Sequence, residues 1–80
     1  VCWVHLNIDN STEQDFIAER GSTKEIQFRE FFVMDVGNAA VISVSHDGKS
    51  YRGLGPYKKP VKDLKFYLNE SGRFSYTQLN

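Results

Sequence analysis

Cys2-Trp3-Val4-His5-Leu6-Asn7-Ile8 is the stretch that decides the fold. Cys2, Val4, Leu6 and Ile8 alternate with Trp3, His5 and Asn7, which puts the aliphatic set on one face of a β-strand and the wetter set on the other. The same period returns at Ile26 and Phe28 against Glu25 and Gln27, at Phe32, Met34 and Val36 against Asp35, and at Leu64, Phe66 and Leu68 against Asp63, Lys65 and Tyr67. Between them, Ala40 to His46 is rich in β-branched residues and runs into Asp47-Gly48, a two-residue hairpin signal, with Lys49-Ser50-Tyr51 as the return strand. Strands at this spacing predict an all-β fold, a small antiparallel β-sandwich or barrel of about six to seven short strands.

One segment carries two readings. Ser11-Thr12-Glu13-Gln14 has the form of a capping box, and Gly21 is placed to close a helix over residues 13–20. However, Phe16 and Ile17 have Arg20 and Gly21 at their i+4 positions, so no continuous apolar stripe forms. A turn at Asp9-Asn10-Ser11 followed by a strand near Gln14–Ala18 is the favoured reading. Residues 1–80 read as one β domain, and the 69–80 stretch stays open between a further strand through Phe74-Ser75-Tyr76 and a fraying tail.

Composition excludes several function classes. The 80 residues are 40% hydrophobic and 25% charged, ordinary for one globular domain. Ten Lys plus Arg balance ten Asp plus Glu, with no block of like charge to serve as a nucleic-acid arm or a polybasic membrane anchor. The single cysteine, Cys2, has no internal disulfide partner, and the two histidines lack a zinc spacing, so no cofactor and no metal are expected. No apolar run approaches the roughly 18 residues of a membrane helix. The chain starts at Val1 rather than Met, which leads us to expect a fragment whose anchor or targeting segment lies elsewhere.

The chemistry-bearing residues mostly read as structural. His5 and His46 are titratable near neutrality, yet neither shows a positioned Ser, Cys or carboxylate partner in the pattern, so catalytic residues are set at none. Cys2, on the aliphatic face, reads as a small buried hydrophobe. Asp9-Asn10-Ser11-Thr12 offers oxygens but lacks the spaced carboxylates of a calcium loop, and Gly53-Leu54-Gly55 lacks the third glycine and following helix of a phosphate cradle. Lys58, Lys59, Lys62 and Lys65 lie near Tyr57, Phe66 and Tyr67, the mixture a single-strand-binding barrel uses, but Phe66 alternates inward and no nucleic-acid partner is expected. Asn10-Ser11-Thr12 and Asn69-Glu70-Ser71 match a glycosylation triplet that has meaning only in a secreted eukaryotic chain.

Two loops stand out. Val36-Gly37-Asn38-Ala39 joins two apolar strands, and Gly37 and Asn38 are residue types suited to positive φ, so a tight turn or bulge is expected there, as a tight turn is at Asp47 and Gly48. Arg52 to Pro60 is the longest irregular stretch, its two glycines and two prolines preventing ladder pairing. Its Leu54, Tyr57, Lys58 and Lys59 form the candidate interaction surface, an aromatic anchor with charge at the rim. For Leu54 and Tyr57 the alternative is to fold back as plugs on the core.

These segments, in this order, resemble the extracytoplasmic C-terminal domain of the RodZ family of bacterial cell-shape proteins. Cys2-Trp3-Val4-His5-Leu6 matches its opening strand, Gly21 to Phe28 its glycine and charged strand, Phe32 to Ala39 its apolar strand ending in Gly-Asn-Ala, Val41 to Lys49 its Val-rich strand with turn, and Leu54-Gly55 its Leu-Gly segment. The turn at Asp9-Asn10-Ser11-Thr12 departs from the family's by lacking a glycine. The resemblance implies a non-enzymatic interaction or scaffold domain of a single-pass cell-membrane protein, on the extracytoplasmic side, whose partners belong to the cell-wall elongation machinery and whose membrane segment lies outside this fragment. The reading set beside it is a small β-fold ligand-binding module for glycan or single-stranded nucleic acid, using Trp3, Tyr57 and Tyr67.

Overall fold

The computed structural model describes residues 2–79. The chain leaves strand β1 (Cys2–Ile8) through Asp9 and Asn10, both with positive φ (52° and 55°), and returns as β2 (Thr12–Ala18). Short polar side chains tolerate that left-handed region, and two successive residues in it give the twist that a tight hairpin needs. The Ser11 N–H donates to the Ile8 carbonyl at 3.0 Å, closing the turn without a glycine. Pairing from Ile8 opposite Thr12 to Cys2 opposite Ala18 makes residues 13–18 of the ambiguous stretch a strand, and a turn follows at Arg20 and Gly21.

Asp9 also starts the next element. Its carboxylate accepts the N–H groups of Arg29 and Glu30 at 2.7 Å each and of Phe31 at 3.0 Å, while its own N–H donates to the Phe31 carbonyl at 2.9 Å. These bonds favour the ionised form and hold the Asp9 carboxyl below the usual carboxylate range, those to Glu30 and Phe31 contributing most. They seat β3 (Phe31–Val36) against the free side of β1, with Ile8 opposite Phe32 and Val4 opposite Val36.

Strand β6 (Val61–Leu68) pairs with β3 through a bulge between Met34 and Val36. Asp63, at φ 61°, takes up the extra residue, and its N–H donates to Asp35 Oδ1 at 2.8 Å. Val61 and Leu64, three apart, therefore both point into the core. Strand β7 (Phe74–Gln78) completes an antiparallel five-stranded sheet in the order β2-β1-β3-β6-β7, so the 69–80 stretch contains a strand. A hairpin of β4 (Val44–His46) and β5 (Lys49–Tyr51) turns on Asp47 (φ 47°) and Gly48 (φ 81°). It covers the inner face of β6 and β7: the Tyr51 hydroxyl donates to the Phe74 carbonyl at 2.8 Å, and the His46 ring stacks 5.0 Å from Phe74. Seven strands in one five-stranded and one two-stranded sheet realise the expected all-β class.

The core lies between these layers. Cys2, Val4, Leu6 and Ile8 meet Phe32, Met34 and Val36, then Val61, Leu64, Phe66 and Phe74, and the loop residues Ala39 and Leu54 close one end. Each buried Val, Leu, Ile, Phe or Met contributes about 1.5–3 kcal/mol, and among the described residues no polar or charged residue is buried with them.

Three local expectations are corrected. Residues 25–28 keep the strand period, with Ile26 and Phe28 packed on the core, but pair with none of the seven strands. Residues Ala39–Val41 are a 3-10 turn rather than the start of a strand; Ala39 is fully buried there, and only Val44–His46 pairs. Gly37 and Asn38 do not form a positive-φ turn: Asn38 has φ −144°, and Gly37 is required by a close approach.

Candidate interaction surface

The Gly53–Pro60 loop is held down at three points. Leu54 is 7% exposed and belongs to the core, so its assignment to the surface is corrected in favour of the plug: an aliphatic side chain gains more from burial than from solvent contact. At Gly55 a Cβ would overlap Val61 Cγ2 and sit 3.0 Å from Ala39 Cβ, so the backbone rests directly on that core. The Lys58 N–H donates to Asn38 Oδ1 at 2.9 Å, with Lys58 at φ 58°. Between these anchors Tyr57 projects outward, 64% exposed, with Lys58 Nζ 5.5 Å from its ring centre. Lys59 follows it in the exposed rim, its N–H directed to the Pro56 carbonyl at 3.4 Å.

Asn38 ties this loop to the first strand. Its side chain holds Lys58, and its carbonyl accepts from Val41 N–H at 3.3 Å and from the Cys2 thiol at 3.6 Å. Beside it the Gly37 N–H donates to the Trp3 carbonyl at 2.9 Å, and the Trp3 indole lies so close that a Cβ on Gly37 would come within 2.7 Å of its Cδ1. One side of the indole is thus backed by glycine backbone while Trp3 remains 42% exposed. Directly across the ladder from Trp3 is Ile17, 53% exposed, and three residues past Asn38 is Val41, 57% exposed. Trp3, Ile17, Val41 and Tyr57 therefore gather around Gly37-Asn38 at one end of the molecule. Exposed apolar side chains on a well-packed scaffold make this end the candidate contact surface. The Gly-Asn pair stands out in the sequence, but its function as the bridge between Trp3 and Tyr57 depends on contacts distant along the chain.

The outer face of the sheet carries the titratable groups. His5 Nδ1 lies 2.5 Å from Asp15 Oδ1, and His5 Nε2 lies 3.3 Å from Glu13 Oε1. The Asp15 hydrogen bond raises the His5 pKa above 6.5; burial opposes this, and the charges of Asp15, Glu13 and Asp35 reinforce it. His5 thus has the carboxylate partners that its sequence context hides, and the hairpin register, His5 opposite Asp15, is the signal that finds them. The arrangement favours the protonated ring, and among the described residues no nucleophile lies beside it: Cys2 points to the opposite face and is 4% exposed. His46 lies on the inner side against Phe74. Among the described residues, no group of three or more His, Cys, Asp or Glu is arranged to hold a metal ion, and no helix is long and apolar enough to cross a membrane.

The mixture of lysines and aromatics is dispersed. Lys65 Nζ covers the protein's own Phe31 at 4.8 Å and Tyr67 at 5.8 Å, and Phe66 is fully buried, while Tyr57, Lys58 and Lys59 sit on the separate loop. Trp3 and Tyr57 share an end of the molecule; Tyr67 is on the outer face of β6, beyond β3.

Comparison with known families finds a match to the model of the RodZ C-terminal domain over residues 1–65, from β1 into β6. No curated protein and no solved structure matches the chain. The matched stretch includes Trp3, Gly37, Asn38 and Leu54 to Lys59, so the apolar end lies within the shared region, whereas β7 lies outside it. The chain belongs to the RodZ C-terminal domain family.

Proposed function

We propose that this chain is a non-enzymatic interaction domain on the extracytoplasmic side of a single-pass bacterial cell-shape protein. In this reading it joins the cell-wall elongation machinery through the end surface of Trp3, Ile17, Val41 and Tyr57, rimmed by Lys58 and Lys59. Membership of a scaffold-type, non-catalytic family supports the class of function. The observation that carries the surface is Tyr57: an aromatic ring 64% exposed on a loop fixed by Leu54, Gly55 and the Lys58–Asn38 bond. A preorganised aromatic loses little conformational entropy on binding, and flanking lysines speed encounter with a partner of opposite charge.

The test uses the full-length protein in a rod-shaped bacterium, with Tyr57→Ala, Lys58→Glu and Lys59→Glu combined. The expected outcome is normal abundance and membrane insertion, reduced recovery of elongation-machinery proteins and altered cell width. Unchanged width and unchanged recovery at normal abundance would remove this surface from the account.

A further inference from the structure

We propose that the domain self-associates through the open edge of β7, a second copy adding its own β7 antiparallel across a two-fold axis at Thr77. The ladder between β6 and β7 fixes which backbone groups face out. The Asn69 N–H donates to the Arg73 carbonyl and the Leu79 N–H to the Asp63 carbonyl, each at 2.9 Å, with an unbroken register between them. Bonded and unbonded pairs alternate in an antiparallel ladder, so Arg73, Ser75, Thr77 and Leu79 bond to β6, whereas Phe74, Tyr76 and Gln78 turn their N–H and C=O groups to the open side. The Phe74 carbonyl is already engaged by the Tyr51 hydroxyl at 2.8 Å. Among the described residues, no backbone group pairs with Tyr76 or Gln78 on that side.

Tyr76 and Gln78 set the register. An axis at Thr77 puts Tyr76 of each copy opposite Gln78 of the other, so each pair exchanges its N–H···O bonds and the Phe74 carbonyl is left to Tyr51. Thr77 then faces Thr77 of the second copy at an unbonded position, where Cα atoms approach to about 4.5 Å and a Thr–Thr pair is favourable. Leu79, 55% exposed, comes to lie opposite Ser75 of the second copy. No charge opposes the approach: residues 74–80 contain no charged residue and no proline, and Lys65, paired with Thr77 on β6, carries its ammonium over the Phe31 and Tyr67 rings. The other edge of the sheet differs. There β2 presents Glu13 and Asp15, both exposed, and self-pairing would bring like charges together. With one unguarded edge in the five-stranded sheet, the two-fold closes the assembly at two copies instead of extending it into a fibre. β3 and β6 separate β7 from β1 and β2, so Trp3 and Ile17 stay exposed in the dimer.

The experiment sediments the chain from micromolar to millimolar concentration, as wild type and as Thr77→Lys, and compares Thr77→Cys with Ser75→Cys for disulfide-linked dimer in oxidised glutathione. Native Cys2 is buried and stays out of this reaction. The expected result is a wild-type mass that rises toward twice the monomer's, and a Thr77→Lys variant that stays monomeric at an unchanged unfolding midpoint, because it opposes like charges at the axis. Thr77→Cys should link at least about tenfold faster than Ser75→Cys, since position 77 alone lies opposite its own copy within disulfide reach. If Thr77→Lys lowers the unfolding midpoint, the two cysteine variants decide. A wild type that is monomeric at millimolar concentration, a folded Thr77→Lys variant that associates as wild type does, or linkage of Ser75→Cys as fast as that of Thr77→Cys overturns the proposal.

Discussion

Replacing Gly37 with Ala tests whether the glycine is there for the indole of Trp3 or for backbone freedom. The φ of Gly37 lies outside the left-handed region, so the backbone admits any residue, and the cost must come from the added methyl, which would sit 2.7 Å from Trp3 Cδ1 and 2.8 Å from Cε2. Two relaxations compete. If the indole keeps its place, overpacking costs about 1–3 kcal/mol. If it swings away, the covered part of a side chain now 42% exposed is released; on the order of 100 Å² at ~25 cal/mol/Å² is about 2.5 kcal/mol. Reduced freedom of the unfolded chain returns about 0.4–1 kcal/mol. The net expectation is destabilisation by about 1–2 kcal/mol, read by denaturant unfolding as a lower midpoint at constant slope. Trp3 is the only tryptophan, so its fluorescence reports which relaxation occurs, with a red shift if the indole leaves. The decisive comparison is a double-mutant cycle with Trp3→Ala, in which the Gly37→Ala penalty should vanish. An equal penalty in both backgrounds would refute the reasoning and return Gly37 to a backbone role.

The remaining expectations concern the turn, the buried thiol and pH. Gly48→Val should cost about 1–3 kcal/mol through strain alone, since φ is 81° and a Cβ there meets nothing; an unchanged unfolding midpoint would contradict the hairpin geometry. Cys2→Ser should destabilise by about 1–3 kcal/mol, and the native Cys2 thiol should resist labelling, whereas rapid modification of the folded protein would contradict its inward register. His5 and Asp9 act in opposite directions with pH. The folded pKa of His5 is raised, so its stabilisation is complete below 6.5 and is lost as pH rises through the folded value; the advantage of wild type over His5→Gln should shrink on that side. The folded pKa of Asp9 is lowered, so its stabilisation is present above 3.8 and is lost as pH falls; the advantage over Asp9→Asn should shrink in acid, and a pH-independent difference for either variant would contradict the assigned contacts.

Legibility in the sequence follows from whether a signal is local. The alternation of Cys2 to Ile8 and the Asp47-Gly48 turn involve residues within a few positions of one another, and both appear in the structure as read. The periodicity of Ile26 and Phe28 is equally clear, but alternation reports only which side chains are buried; a ladder also needs a partner strand from elsewhere in the chain, and none pairs with this segment. Val61 escapes a period-two reading because the bulge at Asp63 shifts the inward positions by one residue. Leu54 and Tyr57 look alike as apolar members of one loop; only the packing of the folded chain decides that Leu54 joins the core and Tyr57 stays out. The role of Asn38 in joining Cys2 of β1 to that loop rests on contacts 20 and 36 residues apart, beyond any local pattern.

The most direct test of the central claim, that the Gly37-Asn38 end is the contact surface, is site-specific photo-crosslinking in the full-length protein in growing cells. A photoreactive side chain at Tyr57 or Val41 should capture a cell-wall elongation protein, while the same group at Glu70, on the exposed β6–β7 turn, should not. Capture from Glu70 but not from Tyr57 or Val41, at equal abundance, would contradict the account.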